Sequence, residues 1–426
     1  MYRRIVCFTV GLASLFAGTA ISIAQEKPTA VVAAGELTLA QALAQGLARH
    51  PALAPYDWEI KAREAAIKQV SRPPNPSVGL EVEDMAGTGP FGGIRQAQTT
   101  LALSQPLELG GKRALRTSVA GAARTEAERE REFQQQEVLF QVRTAFIAVL
   151  VAQERERQFA ENFQLAEEVV TAVQAKVEAG KVSPVDLVKA EASRASARKE
   201  LDLTRQELTN AREQLAWALG EKTPAFTRAS GELLTLSPVP PRDEAMTLLL
   251  ANASVRAAQA TLARSGEELK LAKKSRLPDV TVSAGYRHFS AGEDHALLFG
   301  ASVPLPVFQR QRGAMAEAAA RLEKARAEEA ALKHRLQGEL LGHLAVLERT
   351  ALEAQSYTGQ LLPAAREVFA KTREGYTGGK FSYLELLDAQ RELLKLQREE
   401  LEALARHHLA RAELDRLLGL NPASLK

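Results

Sequence analysis

Two hydrophobic periods alternate along this chain, and the switches between them predict its elements. Apolar residues recur at helical spacing over Leu37–Leu53 and again over Ala52–Val70. The prolines of Arg72-Pro73-Pro74-Asn75-Pro76 end the second of these helices. Over residues 77–84 the period becomes two, with apolar side chains on one face and glycine or glutamate on the other. This alternation predicts a β-strand with one apolar face.

Four such strands are predicted, in two hairpins. The first hairpin joins residues 77–84 to residues 99–107 across a glycine-rich loop, and the second joins residues 279–287 to residues 296–304. Each predicted strand has about nine residues, which is the length that a tilted strand needs to cross a bilayer.

Each hairpin leads into a long helical pattern, which is followed by a shorter return helix. The first long pattern runs from about Lys112 to Ala179, and its apolar positions keep a 4-3-4-3 spacing. That spacing is a heptad seam, which is typical of coiled coils. The second long pattern runs from about Gln311 to Thr377, and the return helices are predicted over residues 185–219 and 383–418.

A short turn occurs twice, once at the tip of each helical hairpin. Residues 178–187 and 377–386 share Gly-Lys-x-Ser, followed by an acidic residue and a leucine at matching places. The glycine allows the chain to reverse, and the serine can cap the next helix. The duplication indicates an internal repeat. We therefore predict a first repeat over residues 37–220, a linker over 221–242 and a second repeat over 243–420.

Residues 1–24 have the pattern of a signal peptide. Arg3 and Arg4 precede an apolar run, and Ser22-Ile23-Ala24 supplies a small-residue cleavage site. The alternative is a membrane anchor, but the run is short and no stop-transfer pattern follows it. Cys7 is the only cysteine and lies in this segment. The mature chain is therefore expected to have no disulfide and no cysteine-based metal site.

The composition allows a large and mostly helical fold. The 426 residues are 46% hydrophobic and 25% charged, which excludes a disordered chain, and the net charge of +3 gives no indication of nucleic acid binding. After the signal peptide no uncharged apolar run is long enough for a spanning helix, so any passage through a membrane must use strands. One chain supplies only four strands, so closure of a barrel requires several copies, and three copies would supply twelve strands around an open pore.

The order of these elements is similar to that of the TolC family of trimeric outer-membrane efflux proteins, over nearly the whole mature chain. Three segments, Pro74–Asp84, Gly87–Phe91 and Gln105–Arg113, resemble the CzcC-type branch, which serves heavy-metal efflux. The resemblance implies a mainly α fold with a small β part, built from two structural repeats. Long coiled-coil hairpins would form a trimeric α-barrel tunnel in the periplasm. The four strands of each chain would contribute to a 12-stranded transmembrane β-barrel in the cell outer membrane.

The resemblance also implies partners. A homotrimer in outer-membrane lipid would receive its substrate from an inner-membrane resistance-nodulation-division pump through a periplasmic adaptor protein. The expected cargo is a divalent heavy-metal cation such as Co, Zn, Cd, Ni or Cu. One alternative is a drug-efflux or type I protein-secretion duct of the same fold. A different class is a coiled-coil periplasmic adaptor, which the four lipid-suited strands disfavour.

The resemblance implies that both tips contact the adaptor and that acidic residues after the second tip close the tunnel. The gate residues are then Glu385 and Asp388, where Glu385 replaces the commoner aspartate. Three copies of either carboxylate around one axis would favour cations. The alternative is that these acids interact with the dipole at a helix N-terminus. The tip residues implied to contact the adaptor are Gly180, Lys181, Ser183, Gly379, Lys380 and Ser382.

The sequence predicts no enzyme, no cofactor and no resident metal site. The turn Gly378-Gly379-Lys380 lacks the spacing of a phosphate-binding loop. His407 and His408 are adjacent, so on a helix their side chains diverge by about 100°. His288 and His295 flank an outer loop, where solvated histidines are favoured over the alternative of a weak metal site.

Overall fold

The computed structural model describes residues 35–308 and 310–420, so the predicted signal peptide over residues 1–24 lies outside the described residues. The predicted mainly helical fold with a small β part is confirmed. The helices are α1 Leu39–Arg49, α2 Ala54–Val70, α3 Lys112–Glu178, α4 Pro184–Ala218, α5 Arg242–Leu250, α6 Ala253–Lys274, α7 Arg312–Ser356, α8 Leu362–Thr377 and α9 Tyr383–Leu418. The strands are β1 Glu36–Thr38, β2 Ser77–Glu83, β3 Gln98–Leu107, β4 Arg228–Ser230, β5 Val280–Phe289 and β6 Asp294–Ser302.

The two β-hairpins form one antiparallel sheet in the order β2-β3-β5-β6. Pairing of β3 with β5 joins the first repeat to the second. One face of the sheet carries polar side chains, among which Arg287 donates to Thr100 at 2.8 Å and forms an ion pair with Glu83 at 2.9 Å. The other face is apolar and exposed in the single chain, and its most exposed members are Val78, Leu80, Leu101, Leu103, Leu297 and Phe299.

A second, two-stranded sheet was not predicted. Strand β1 lies at the start of the segment predicted as helix Leu37–Leu53, and it pairs in parallel with β4 inside the predicted linker. Strands of three residues are too short to show a period of two, which is why the pattern did not predict them. The side chain of Gln153 on α3 holds β4 in place, because it bonds both the N–H of Ala229 at 2.8 Å and its carbonyl oxygen at 2.9 Å.

Helix α3 is the longest element, with 67 residues, and follows its predicted bounds to within one residue. It packs against α2, α4, α6 and α9, so it contacts helices of both repeats. Neither α3 nor any other described helix has a stretch apolar enough to span a membrane. Much of the heptad seam predicted for α3 is buried, including Val138, Val142, Val149, Ala152, Ala166, Val170 and Val173.

The second long helix runs without a gap from Arg312 to Thr377, within one residue of its predicted bounds, but its α-helical pattern is interrupted by a π-helical turn. A π-helical turn over Tyr357–Leu361 separates α7 from α8. Pro363 is the second residue of α8 and explains the interruption. Proline has no N–H to donate to the carbonyl of Gly359, and its ring would clash with that carbonyl in a regular α-helix.

A buried ionic cluster joins the first repeat to the second. Asp415 on α9 accepts hydrogen bonds from Arg143 on α3 and from Arg411 on its own helix. The side chain of Asp415 is 2% exposed, and those of Arg143 and Arg411 are 13% and 12% exposed. Arg411 also donates to the carbonyl of Pro238 at 2.7 Å, which ties the inter-repeat segment to the same cluster.

Candidate functional site

The first tip joins α3 to α4 in a tight reversal. Gly180 has a φ of +66°, a left-handed conformation that glycine adopts without strain. The N–H of Lys181 donates to the carbonyl of Lys176 at 2.8 Å, which closes the end of α3 in a Schellman arrangement. The hydroxyl of Ser183 then accepts from the N–H of Val185 at 3.2 Å and caps α4.

The second tip joins α8 to α9 and repeats this geometry. Gly379 has a φ of +76°, and the N–H of Lys380 donates to the carbonyl of Gly375 at 2.8 Å. Gly375 has a second role, because a Cβ atom at this position would overlap the ring of Phe381. Glycine at residue 375 therefore allows Phe381 to fold back over the turn.

The two tips of one chain pack side by side as a single unit. The ammonium group of Lys176 on α3 donates to the carbonyl of Tyr376 on α8 at 2.6 Å and lies 3.7 Å from the centre of its ring. Partial burial and the nearby Lys181 lower the pKa of Lys176. The buried apolar cluster between the tips consists of Val170, Val173, Ala190, Tyr376, Tyr383, Leu386 and Leu387.

The structure brings the six predicted tip residues together at one end of the folded molecule, and all six are exposed. Apolar side chains flank them, among which Val188 is 64% exposed and Leu384 is 57% exposed. The end of the molecule therefore presents two turns, two lysines and a partly apolar border. The six residues are Gly180, Lys181, Ser183, Gly379, Lys380 and Ser382.

Glu385 takes part in a capping box at the start of α9. Its carboxylate accepts from the N–H of Ser382 at 2.7 Å and from the Ser382 hydroxyl at 2.8 Å. The N–H of Glu385 donates in return to that hydroxyl at 3.3 Å. The hydrogen bonds from Ser382 lower the pKa of Glu385 below its ordinary value. The Ser-x-x-Glu spacing is a sequence signal that predicts this box.

Asp388 lies about one turn further along α9. Its side chain is 66% exposed, and its carboxylate meets Arg391 at 3.9 Å, the outer limit of an ion pair. The matching place in the first tip is occupied by Lys189, which lies 3.7 Å from Asp186. The two tips therefore share their turn but differ in charge one helical turn beyond it.

Helix α9 carries two adjacent histidines, His407 and His408, which are wholly and partly buried. His407 is completely buried, and burial together with His408 lowers its pKa. The ring of His408 makes a 2.7 Å hydrogen bond with the carbonyl of Leu233, and burial is the main cause of its lowered pKa. Across the described residues, no three His, Cys, Asp or Glu side chains are grouped so that they could hold a metal ion.

Comparison with known proteins finds a family, individual relatives and solved structures that this chain resembles. The family model described as Outer membrane efflux protein matches residues 42–221 and 246–420. The cobalt-zinc-cadmium resistance protein CzcC of Cupriavidus metallidurans is 32% identical over 96% of this chain and 98% of its own length. The nickel-cobalt-cadmium resistance protein NccC of Alcaligenes xylosoxydans xylosoxydans is 28% identical over 76% of this chain and 71% of its own length. A crystal structure of CusC superposes with a TM-score of 0.74 at 16% identity, over 90% of this chain and 92% of that one.

Proposed function

Because the chain belongs to the outer membrane efflux protein family, we propose that it is the passive outer-membrane duct of a tripartite efflux system, with divalent heavy-metal cations as cargo. The observation that carries the choice of cargo is the match to CzcC, which spans nearly the full length of both chains. In this proposal the pump is an inner-membrane proton-driven protein of the resistance-nodulation-division class, and a periplasmic adaptor connects it to the duct.

The exposed edges and face of the sheet support assembly as a homotrimer. Strands β2 and β6 are the two edges of the four-stranded sheet. Unpaired edge strands cannot face lipid, because each unmatched backbone group would cost several kcal/mol there. Three copies would close the edges into a 12-stranded barrel, with the apolar face toward lipid and the polar face toward the pore. The hairpins would then surround a tunnel on the periplasmic side.

The geometry of the tips supports docking of the adaptor at this end of the tunnel. Both turns are exposed, and their flanking apolar side chains give a helical partner a surface to pack against. Lys181 and Lys380 would add attraction for acidic groups on that partner. We assign adaptor contact to the six tip residues described above.

We assign the periplasmic gate to the start of α9 in each of the three copies. Asp388 would project into the tunnel and form a ring of three carboxylates, which attracts cations and repels anions. Glu385 would lie one turn nearer the tip, where its bonds to Ser382 fix the first turn of the helix that carries Asp388.

Deletion of the gene is expected to lower the tolerance of the host to Co, Zn, Cd, Ni or Cu ions, because the pump then has no exit through the outer membrane. Growth on graded metal concentrations measures the effect, and the wild-type gene supplied in trans should restore it. If metal tolerance is unchanged while tolerance to organic drugs falls, the assignment of metal cargo is wrong.

Substitution of Asp388 by asparagine is expected to lower the selectivity of the duct for cations several-fold, since it removes three charges from one ring. Current through the purified protein in a planar bilayer, with a salt gradient across it, measures the change. The matched control is Asp186→Asn, which removes an acid from the first tip and should leave selectivity unchanged. An equal loss in both variants would contradict a gate in the second tip.

A further inference from the structure

Two histidines lie opposite each other at the turn end of the β5–β6 hairpin. In the strand register His288 lies directly opposite His295. Their Nδ1 atoms are 3.4 Å apart, and the ring centres are 5.1 Å apart. His295 is exposed and His288 is half-buried, so an ion can reach both from solvent. We propose that this pair, here called the rim histidines, forms a binding site for a divalent cation that prefers imidazole ligands.

The two Nδ1 atoms lie close enough together to share one cation. With Zn–N bonds of about 2.0–2.1 Å, two ligands of a tetrahedral ion lie about 3.4 Å apart. Two neighbouring ligands of a square-planar or octahedral ion would lie about 2.9 Å apart for the same bond length. The present separation of 3.4 Å lets both nitrogens reach one ion, and two imidazoles with water completing the coordination suit Zn²⁺ or Co²⁺.

The strand register places the two histidines within reach of one shared ion. Directly opposed residues of an antiparallel pair have Cβ atoms about 4.5–5.5 Å apart, within reach of a shared ion for two imidazoles. The rings are now stacked with an angle of 29° between their planes, so the ring of His295 must turn to aim its lone pair at the ion. That rotation is about χ2, a soft torsion for histidine, and the side chain that rotates is exposed.

Tyr286 bears on which ring nitrogen of a neutral His295 carries the electron pair. The hydroxyl of Tyr286 lies 2.5 Å from Nδ1 of His295 and can donate to it, which leaves the proton of a neutral ring on Nε2. Nδ1 then carries the electron pair that a metal requires, and an arriving ion must displace the hydrogen bond from Tyr286 to use it. Glu293 lies in the adjoining turn and Asp294 is the first residue of β6, so two acidic residues directly precede His295 in the chain.

The place of the rim histidines in the sheet differs from that of the pore. They share the apolar face with Tyr286 and Leu297, opposite the face that carries Arg287. The site therefore lies on the face of the sheet that the proposed barrel turns away from its pore, at the end where β5 turns into β6. It depends on the strand register alone and stands whether or not the chain is a metal duct.

The test is a titration of the untagged, full-length mature protein in detergent with cobalt(II) chloride. A tetrahedral Co²⁺ site absorbs visible light far more strongly than the hydrated ion. We expect one such site per chain, lost in both His288→Ala and His295→Ala, and bleached when Zn²⁺ displaces the Co²⁺. Circular dichroism and size-exclusion chromatography check that the variants remain folded and assembled.

A matched control removes two other histidines, the exposed His334 and the half-buried His343. His334 and His343 lie nine residues apart on α7, so they occupy opposite sides of that helix. The double variant His334→Ala/His343→Ala should retain the full absorption. The proposal is overturned if the wild type shows no strong band, if the band survives in His295→Ala, or if the control loses it as well.

Discussion

Replacement of Asp415 by alanine is expected to lower the free energy of unfolding by about 3–5 kcal/mol, the usual cost of removing one partner of a buried ion pair. The substitution leaves the guanidinium groups of Arg143 and Arg411 buried without their shared carboxylate. Because Arg143 belongs to the first repeat and Asp415 to the second, the loss also weakens the contact between them. Guanidinium-induced unfolding of the purified protein in detergent, followed by circular dichroism, measures the shift in midpoint.

A surface ion pair of the same chemistry provides the control for this experiment. Glu317 and Arg321 on α7 are 62% and 65% exposed and lie 2.6 Å apart. Glu317→Ala should cost less than about 1 kcal/mol, because water screens the pair and solvates the arginine that remains. Similar losses in Glu317→Ala and Asp415→Ala would show that the buried cluster does not hold the repeats together.

The elements with a strong period were predictable from the sequence. The strands near Val78 and Val282 were found because alternation and flanking prolines leave no other regular structure. The predicted bounds of the four strands differ from those observed by two residues or fewer, as for the strand predicted to end at residue 287, which ends at Phe289. Helix α9 begins and ends where predicted, since Ser382 caps one end and Gly419 stops the other.

The contacts between distant segments could not be predicted. Arg143 and Asp415 are separated by 272 positions in the chain, and nothing near either residue marks its partner. The short strands β1 and β4 lack a period and depend on the side chain of Gln153. Pro363 is a sequence signal for a break in regular α-helix, and the prediction of the second long helix did not use it.

For the candidate site, too, some features were predictable from the sequence and others were not. The two turns were visible because Gly180 and Gly379 recur in the same short motif. The side-chain bond that ties Lys176 to the carbonyl of Tyr376 depends on the packing of one hairpin against the other, which the motif does not encode. For Glu385, the helix N-terminal alternative describes the observed contacts, since its carboxylate is bonded to Ser382.

The contact between the repeats of one chain also provides a template for the contact between chains. Alignment of Pro74 with Pro278 places β2 on β5, and alignment of Pro106 with Pro304 places β3 on β6. Under this alignment the observed pair Leu80–Leu101 becomes Ala284–Phe299, which the second hairpin indeed forms. The alignment is therefore consistent with both hairpins.

The same alignment predicts how β6 of one chain pairs with β2 of the next. The pair Leu103–Ala284 between β3 and β5 becomes Ala301 opposite Leu80 of the neighbouring chain. In the double variant Leu80→Cys/Ala301→Cys, opposed Cβ atoms would be about 4.5–5.5 Å apart, close to what a disulfide needs. Oxidation in outer-membrane fractions should convert nearly all of the chain into a covalent trimer on a non-reducing gel.

The control moves one cysteine by two positions along the same face. In Val82→Cys/Ala301→Cys the expected separation is the diagonal one of about 7–8 Å, so cross-linking should be much weaker. Each single variant should remain monomeric on the gel, because Cys7 is the only native cysteine and lies in the predicted signal peptide. Stronger cross-linking in the shifted variant would overturn the register, and a ladder that extends beyond three chains would overturn the closed trimer. If the register holds, the register of the β3–β5 contact occurs six times in the closed barrel, three times within chains and three times where β6 meets β2 of the neighbouring chain.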